Sequence, residues 1–339
     1  SGYVRRAPGL KAATPLRRLI WSEQKLAALS KARDADTVVY TAQTGVVYPD
    51  VHVSDLTFAR SRRITDANPL QRELLWSAGE RRLSYRNSLG ETRYATLWLP
   101  ANYQPGNKYP TIVNIYEQVA DRFNTYRDVT LEGGVNPNIP QTTQRGYAIV
   151  LPDIVPKANN AGPAALDDTL VGVNAAVATG VVDPDRLALT GQSYGGYETA
   201  FLITQTNIFK AAVAVDMVSD TVTHSLQTYG QIDGRPSVFN TSWYLNNQLY
   251  VTQPWWENPD AYTRNSALYQ AKNVETPLLI RQNDRDHATP FFQGLQFFNL
   301  LRGMRKPVVM LQYAGADHGS NRGRPEDEHD FARRRFEFF

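Results

Sequence analysis

Residues 187–197, LALTGQSYGGY, decide the fold of this chain of 339 residues. The first four form an apolar run typical of a buried strand, and a helical pattern begins at residue 194. Between them, the pattern G-x-S-x-G places Ser193 on a tight turn from strand to helix. Glycine two residues to either side lets neighbouring backbone pass closely while the hydroxyl projects outward. This context favours a nucleophilic serine over the alternative, a purely structural turn.

The sequence around this stretch alternates apolar runs with helical patterns. Strand-length apolar runs occupy residues 111–116, 147–151, 187–190, 211–215, 278–281 and 308–313, and helical patterns occupy 167–178, 194–205, 290–302 and 326–339. Near-continuous apolar strands are typical of a parallel sheet that helices cover on both faces. We therefore predict a doubly wound, mostly parallel α/β domain over residues 76–339. With the serine turn placed after a strand, this is the α/β-hydrolase fold.

The N-terminal part of the chain has a different sequence pattern, without the alternation of apolar runs and helical patterns. Short β-type runs at 37–41 and 56–59 are broken by turn-forming residues, which predicts an antiparallel β segment over about residues 15–75 that is too short to close on itself. Residues 82–85 and 92–99, joined by Asn-Ser-Leu-Gly, predict a β-hairpin.

A serine hydroxyl becomes a strong nucleophile only when a base takes its proton, and in this fold the acid and the histidine follow the serine in that order. Of five histidines, His318 lies in a glycine-flanked loop between the last apolar run and the last helical pattern. The alternative is a surface-loop histidine. Two carboxylates, Asp284 and Asp286, occupy the loop after residue 281. We favour Asp286 as the orienting acid because it is nearer the following helix, with Asp284 as the alternative.

A tetrahedral intermediate also needs hydrogen-bond donors for its oxyanion. The backbone N–H of Tyr194, directly after the serine, is one candidate. Tyr116, at the end of the run 111–116, is the candidate for the second. A strand-end tyrosine considered alone is more often a packing residue.

Composition excludes several other functions. The chain has no cysteine, so disulfides, a thiolate nucleophile and cysteine-ligated zinc are excluded. Neither histidine ligand spacing nor a phosphate-binding glycine loop occurs, so we predict no metal and no cofactor. The net charge of +3, with scattered basic pairs, argues against nucleic-acid and membrane-surface partners. No apolar run reaches the roughly 20 residues of a membrane span. We expect a soluble protein and leave open whether it is cytoplasmic or exported.

Several motifs, in order along the chain after about residue 15, resemble the prolyl oligopeptidase (S9) family of serine peptidases. They are ITDANP at 64–69, KYP at 108–110, Tyr116-Glu117, GQSYGGY at 191–197, TQTNIFKAAVA at 204–214 and NDRD at 283–286. The resemblance implies a catalytic triad of Ser193, Asp286 and His318, an oxyanion-hole hydroxyl on Tyr116, and Val218 near the pocket for the residue preceding the scissile bond.

The resemblance also implies a hydrolase domain that follows a β-propeller and cleaves oligopeptides through an acyl-enzyme. Residues 1–75 are then the C-terminal remnant of the propeller. We expect a peptide as substrate, and the rest of a propeller or a homo-oligomer as further partners. Gln192 stands where many relatives have histidine, and Asp216-Met217 and Ala288-Thr289 also depart from the family pattern. The departure at Ala288-Thr289 leaves substrate preference open.

Two other functions are compatible with the same fold. An esterase or acyltransferase would use the same triad, since fold does not determine function. A non-catalytic binding domain would keep the fold without the reaction. The β segment ahead of residue 76 favours a peptidase over a free-standing esterase. The serine, aspartate and histidine in the expected order argue against a non-catalytic domain.

Overall fold

The computed structural model describes residues 1–5, 16–74, 76–129, 134–232, 235–319 and 324–339. The strands are β1 Gly2–Arg5, β2 Arg17–Trp21, β3 Lys25–Lys31, β4 Thr37–Gln43, β5 Asp50–Asp55, β6 Arg62–Arg63, β7 Glu80–Arg86, β8 Thr92–Trp98, β9 Tyr109–Ile115, β10 Ala148–Pro152, β11 Val182–Gln192, β12 Ala211–Val215, β13 Thr228–Ile232, β14 Arg235–Phe239, β15 Leu278–Arg281 and β16 Val308–Leu311. The α-helices are α1 Ile139–Gln144, α2 Ala161–Val177, α3 Tyr194–Leu202, α4 Thr221–Ser225, α5 Asn240–Asn246, α6 Pro259–Arg264, α7 Phe291–Gly303 and α8 Pro325–Phe338. Short 3-10 helices lie at Pro69–Arg72, Ala120–Arg122 and Leu268–Asn273.

Eight strands form the main sheet, in the order β16-β15-β12-β11-β9-β10-β8-β7. The six strands from β16 to β10 run parallel, and β8 is antiparallel to both β10 and β7. The predicted α/β-hydrolase fold is confirmed. Each of the six predicted apolar runs overlaps a strand of this sheet, and the predicted hairpin is β7 and β8.

The interior strands are apolar because helices pack against the sheet. Every residue of β10, β12 and β15 is buried. Since parallel strands end at the same edge, the loops after β9, β11, β12, β15 and β16 gather there. This edge carries all the predicted site residues.

Helix α2 begins six residues earlier than the pattern at 167 predicts. Pro163 lies in its first turn, where no backbone N–H is needed for the helix. A Cβ at Gly162 would lie 2.7 Å from the ring of Phe201 on α3. Glycine therefore allows the two helices to approach closely, and this contact extends α2 past residues that look like a loop in the sequence.

The N-terminal segment is antiparallel, as predicted. Strands β3, β4, β5 and β6 form a sheet in chain order, and β1 pairs with β2. The predicted strand at 56–59 is wrong. Asp55 Oδ1 accepts the N–H groups of Thr57 and Ala59 at 2.8 and 3.3 Å, which stabilises a turn at these residues. The strand is β5, directly before that turn.

Glu80, the first residue of β7, joins this segment to the main sheet. Its Oε1 accepts the N–H of Gly45 and the N–H of Asn124, both at 2.9 Å. Burial raises the pKa of this carboxyl to about 7, although the two hydrogen bonds oppose the rise. In the described part of the chain, no helix is both long and apolar enough to cross a membrane.

Candidate active site

Ser193 occupies the turn between β11 and α3 with φ 60° and ψ −117°. An L residue rarely adopts such a conformation, and strained backbone of this kind clusters at functional sites. A Cβ at Gly191 would lie 2.3 Å from the carbonyl oxygen of Gly195, and one at Gly195 would lie 2.2 Å from the carbonyl oxygen of Ile115. Close backbone approach therefore requires both glycines of the motif, which explains their spacing in the sequence.

The imidazole of His318 faces the carboxylate of Asp286. Its Nδ1 lies 2.9 Å from Oδ2 and 3.0 Å from Oδ1. Oδ1 of Asp286 also accepts the N–H groups of Ala288 and Thr289, each at 2.8 Å, and Oδ2 accepts the Thr289 hydroxyl at 2.7 Å. Burial opposes protonation of His318, but the hydrogen bond and charge of Asp286, with further carboxylates nearby, raise its pKa. The arrangement fixes the ring and stabilises an imidazolium.

Asp284, the alternative acid, lies elsewhere. It is exposed, and its Oδ1 accepts the N–H of Gly315 at 2.7 Å, so it supports the loop that carries the base. His287 is also exposed and contacts Asp317 at 2.6 Å. The structure thus brings Asp286, and not Asp284, to His318.

The hydroxyl of Ser193 and the ring of His318 line one cavity, but they are not hydrogen-bonded to each other in the described part of the chain. Nε2 of His318 instead lies 3.2 Å from Nε2 of Gln192. The sequence marked Gln192 only as a departure from the family pattern. Its position directly before the serine was the one indication that it would lie close to the base.

Tyr116 follows β9 and also lines the cavity. Its hydroxyl accepts the side-chain N–H of Gln248 at 3.3 Å, which leaves its own proton free for another acceptor. Burial raises the pKa of Tyr116, so the hydroxyl keeps that proton. Tyr194 is the first residue of α3, and the first N–H groups of a helix have no partner within it. Both residues that are predicted to supply oxyanion donors therefore line the cavity that holds the serine.

The cavity has a volume of about 420 Å³. Its apolar wall is formed by Tyr194, Tyr197, Val218, Tyr244 and Leu249. His224 also lines it, and burial lowers the pKa of this ring to about 4, so it is neutral near pH 7. None of the lining residues, all of them described, is an aspartate, glutamate, lysine or arginine. The cavity suits an uncharged group, and Val218 lies in its wall.

A further acid, Asp216, lies beside the site, and the sequence did not identify it as a site residue. One donor atom each from Asp216, Asp286 and His318 lie within 4.8 Å of one another. Such a spacing could also hold a metal ion, but His318 Nδ1 already contacts Asp286. The absence of a metal therefore stays a prediction. An aspartate directly after a buried apolar strand, at the edge that carries the serine, was the available indication.

Comparisons with known proteins identify relatives of this chain. The family model described as "Prolyl oligopeptidase family" matches residues 157–339. An uncharacterised peptidase, YuxL, from Bacillus subtilis is 30% identical over 235 residues, which are 66% of this chain and 33% of that protein. The lasso peptide isopeptidase AtxE2 from Asticcacaulis excentricus is 26% identical over 291 residues, 78% of this chain and 38% of that protein.

Among solved structures, an acylaminoacyl peptidase from Pyrococcus horikoshii superimposes with a TM-score of 0.70 at 20% identity. The superposition covers 96% of this chain and 50% of that one. This likeness shows the fold. The chain spans about a third to two fifths of the length of these two curated relatives and about half of this solved structure.

Proposed function

This chain belongs to the prolyl oligopeptidase family, and on that premise we propose that it is a serine peptidase whose triad is Ser193, His318 and Asp286. The contact of His318 Nδ1 with both carboxylate oxygens of Asp286, at 2.9 and 3.0 Å in the wall of the cavity that holds Ser193, carries the proposal. A base oriented in this way leaves Nε2 as the atom that receives the serine proton.

The proposed reaction has two halves. The Ser193 hydroxyl attacks the carbonyl carbon of the scissile peptide bond and gives its proton to Nε2 of His318. The resulting oxyanion accepts hydrogen bonds from the Tyr116 hydroxyl and the Tyr194 N–H. His318 then protonates the departing amine, which leaves an ester on Ser193. Water attacks this ester and gives a proton to His318. The imidazolium then protonates the Ser193 oxygen as the acid product leaves, so the enzyme returns to its starting state.

The cavity supports a preference at the residue that precedes the scissile bond. Val218 and the tyrosines of the wall offer apolar surface, and the described lining holds no formal charge while His318 is neutral. A charged side chain would lose its hydration there without an ion-pair partner. We therefore expect an uncharged side chain at this position of the substrate.

The N-terminal β segment supports a proposal about the domain from which residues 1–75 come. Four antiparallel strands in chain order, β3 to β6, form the arrangement of a propeller blade. We propose that this segment is the C-terminal remnant of a propeller that precedes the catalytic domain 76–339. Contact with the rest of such a propeller, or with a second copy of the chain, stays a prediction.

Fluorophosphonate labelling tests the proposal. Wild-type protein should be labelled and Ser193→Ala should not, while both retain the same thermal unfolding temperature. Wild-type protein that has not been treated with the label is then assayed against peptidyl amides with uncharged or charged residues before the scissile bond, and against short acyl esters. Turnover of amides with uncharged residues supports a peptidase. Turnover of esters alone would favour the esterase alternative, and an unlabelled wild type would favour a non-catalytic domain.

A further inference from the structure

A second buried carboxyl, Asp216, lies behind the proposed base. It directly follows β12 and is 0% exposed. Its Oδ2 accepts the N–H of Gly319 at 2.8 Å, and its Oδ1 has no hydrogen-bond partner in the described part of the chain. Its φ of 47° is unusual for a residue other than glycine, though aspartate and asparagine adopt it more readily than most. A buried polar atom without a partner is costly, so its presence calls for a role.

Asp216 and Arg281 hold the two polar groups of Gly319, the residue directly after the base. Arg281 donates from Nη1 to the Gly319 carbonyl at 2.7 Å, while Asp216 accepts the Gly319 N–H. The two residues stand at the ends of neighbouring parallel strands, and the backbone N–H of Asp216 donates to the carbonyl of Arg281 at 2.8 Å. The ends of these two strands thus fix the backbone of Gly319 through two hydrogen bonds, and this positions the neighbouring His318.

The charges around the base come from several elements. His318 faces Asp286 on the loop after β15, Asp216 after β12, and Asp317 on its own loop. The buried ring of His224 also faces it and is neutral near pH 7. Three carboxyl groups therefore surround one imidazole, and each favours its protonated form.

The charged groups that face Asp216 are Asp286, Arg281 and His318. Arg281 is itself paired with Glu328 at 2.8 Å. Burial and then the charge of Asp286 raise the pKa of Asp216 to about 6, against the opposing effects of Arg281 and His318. Asp216 is therefore mostly ionised at neutral pH, and it loses its charge in mildly acidic solution.

We propose that Asp216 is a positioning residue for His318: it anchors the loop of the base through Gly319, and its negative charge adds to that of Asp286 in stabilising the imidazolium. The inference rests on the proposed function. Asp216 is one of the positions at which the sequence departs from the family pattern. A neutral side chain could accept the same N–H, so the charge is what separates this role from a structural one.

Asp216→Asn tests the charge alone. Asparagine tolerates positive φ and its Oδ1 can accept the Gly319 N–H, so the tether is kept. Removing a carboxylate lowers the pKa of the base, and the acid limb of kcat/KM and of fluorophosphonate labelling should move to lower pH by on the order of one pH unit. Imidazolium formation becomes less favourable, so the plateau kcat should fall about tenfold for that shift. The ring of His318, followed by NMR, should titrate at lower pH by the same amount.

Asp284→Asn is the matched control. Asp284 also holds a backbone N–H of the base loop, that of Gly315, but it is exposed and does not face His318. This variant should keep the acid limb of wild type. Asp216→Gly, whose backbone suits positive φ, removes the tether as well as the charge. It should show the same pH shift with a larger loss of kcat, and it replaces Asp216→Asn if that variant does not fold.

An acid limb and a His318 titration in Asp216→Asn that both coincide with wild type would overturn the inference. Failure of the proposed function has a different signature, because wild type itself would then remain unlabelled by fluorophosphonate. The NMR titration needs no activity, so it decides the electrostatic role of Asp216 in either case.

Discussion

The side-chain amide nitrogen of Gln192 lies 3.2 Å from Nε2 of His318. Because Nδ1 faces the carboxylate of Asp286, Nε2 of the neutral ring carries the lone pair, and the Gln192 N–H is the donor that meets it. The same lone pair has to accept the proton of Ser193. Gln192 and Ser193 are therefore competitors for one atom.

Gln192→Ala should relieve this competition. We expect fluorophosphonate labelling to become severalfold faster, because one hydrogen bond is worth about 1 kcal/mol net. The labelling rate at a pH above the acid limb measures this. Gln205→Ala, which removes a glutamine amide that bonds to Thr204 and Gln270 and lies outside the cavity lining, should label at the wild-type rate. A slower rate in Gln192→Ala would mean that the amide supports the base.

Asp286→Asn should reduce kcat about 10⁴-fold, because an amide can donate to Nδ1 and select the wrong tautomer. The residual activity should show an acid limb at lower pH than wild type. The direction of this shift follows from the pKa of His318, which is raised from the ordinary 6.5 in wild type. Wild type therefore loses its neutral base as pH falls through a value above 6.5, and the variant, without the carboxylate, loses it at lower pH. Rate profiles from pH 5 to pH 9 measure both effects. Asp284→Asn should retain nearly full activity.

Tyr116→Phe should lower kcat about 10² to 10³-fold, with little change in KM, because the hydroxyl is proposed to bind the oxyanion and not the ground state. Steady-state kinetics on a peptidyl amide separate the two parameters. Tyr103→Phe is the control, since this hydroxyl accepts a hydrogen bond from Arg81 outside the cavity lining. An equal loss of activity in both variants would contradict the oxyanion role.

Glu198→Gln should change how stability depends on pH. The side chain of Glu198 on α3 is 0% exposed, and neither carboxyl oxygen has a hydrogen-bond partner in the described residues. Burial, and then the charges of Glu117 and Asp168, raise the pKa of Glu198 well above its ordinary value of 4.5. Between the pKa of Glu198 in the unfolded chain and its higher pKa in the folded protein, the folded state keeps a proton that the unfolded state releases. The free energy of unfolding of wild type therefore falls as pH rises through this range.

Relative to Glu198→Gln, the wild-type free energy of unfolding should fall by about 1.4 kcal/mol per pH unit above the unfolded-state pKa. Denaturant unfolding at pH 5, 6, 7 and 8 measures the difference. The exposed Glu257→Gln is the control and should follow wild type throughout. A constant difference between wild type and Glu198→Gln would show that Glu198 is ionised when folded.

Gly45→Ala should loosen the contact between the N-terminal segment and the main sheet. A Cβ there would lie 2.1 Å from the ring of Trp98, which is 1% exposed, and 2.6 Å from Oε1 of Glu80. Overpacking of this kind costs about 1–3 kcal/mol. Thermal unfolding and limited proteolysis should show a less stable protein that is cleaved faster before residue 80. Gly303→Ala, where a Cβ meets nothing within 4 Å, should not have this effect.

Local sequence determined the main framework of this protein. The pattern around Ser193 needs only a strand, a tight turn and a helix in succession, and close backbone contacts then require its glycines. The apolar runs predicted the strands of the α/β-hydrolase sheet because residues buried on both faces have to be apolar. The turn at 56–59 was mistaken for a strand, because the hydrogen bonds of the Asp55 side chain outweigh the β propensity of those residues.

Only the tertiary structure decided which side chains meet. The sequence left Asp284 and Asp286 as alternatives two residues apart, and the path of one loop brings Asp286 to His318. Gln192 meets His318 across 126 positions of the chain, and Asp216 meets Gly319 across 103. Such contacts depend on the order of strands in the sheet and on the loops at its edge. Local periodicity carries no information about either, because it reflects the burial of each residue and not the identity of its neighbour.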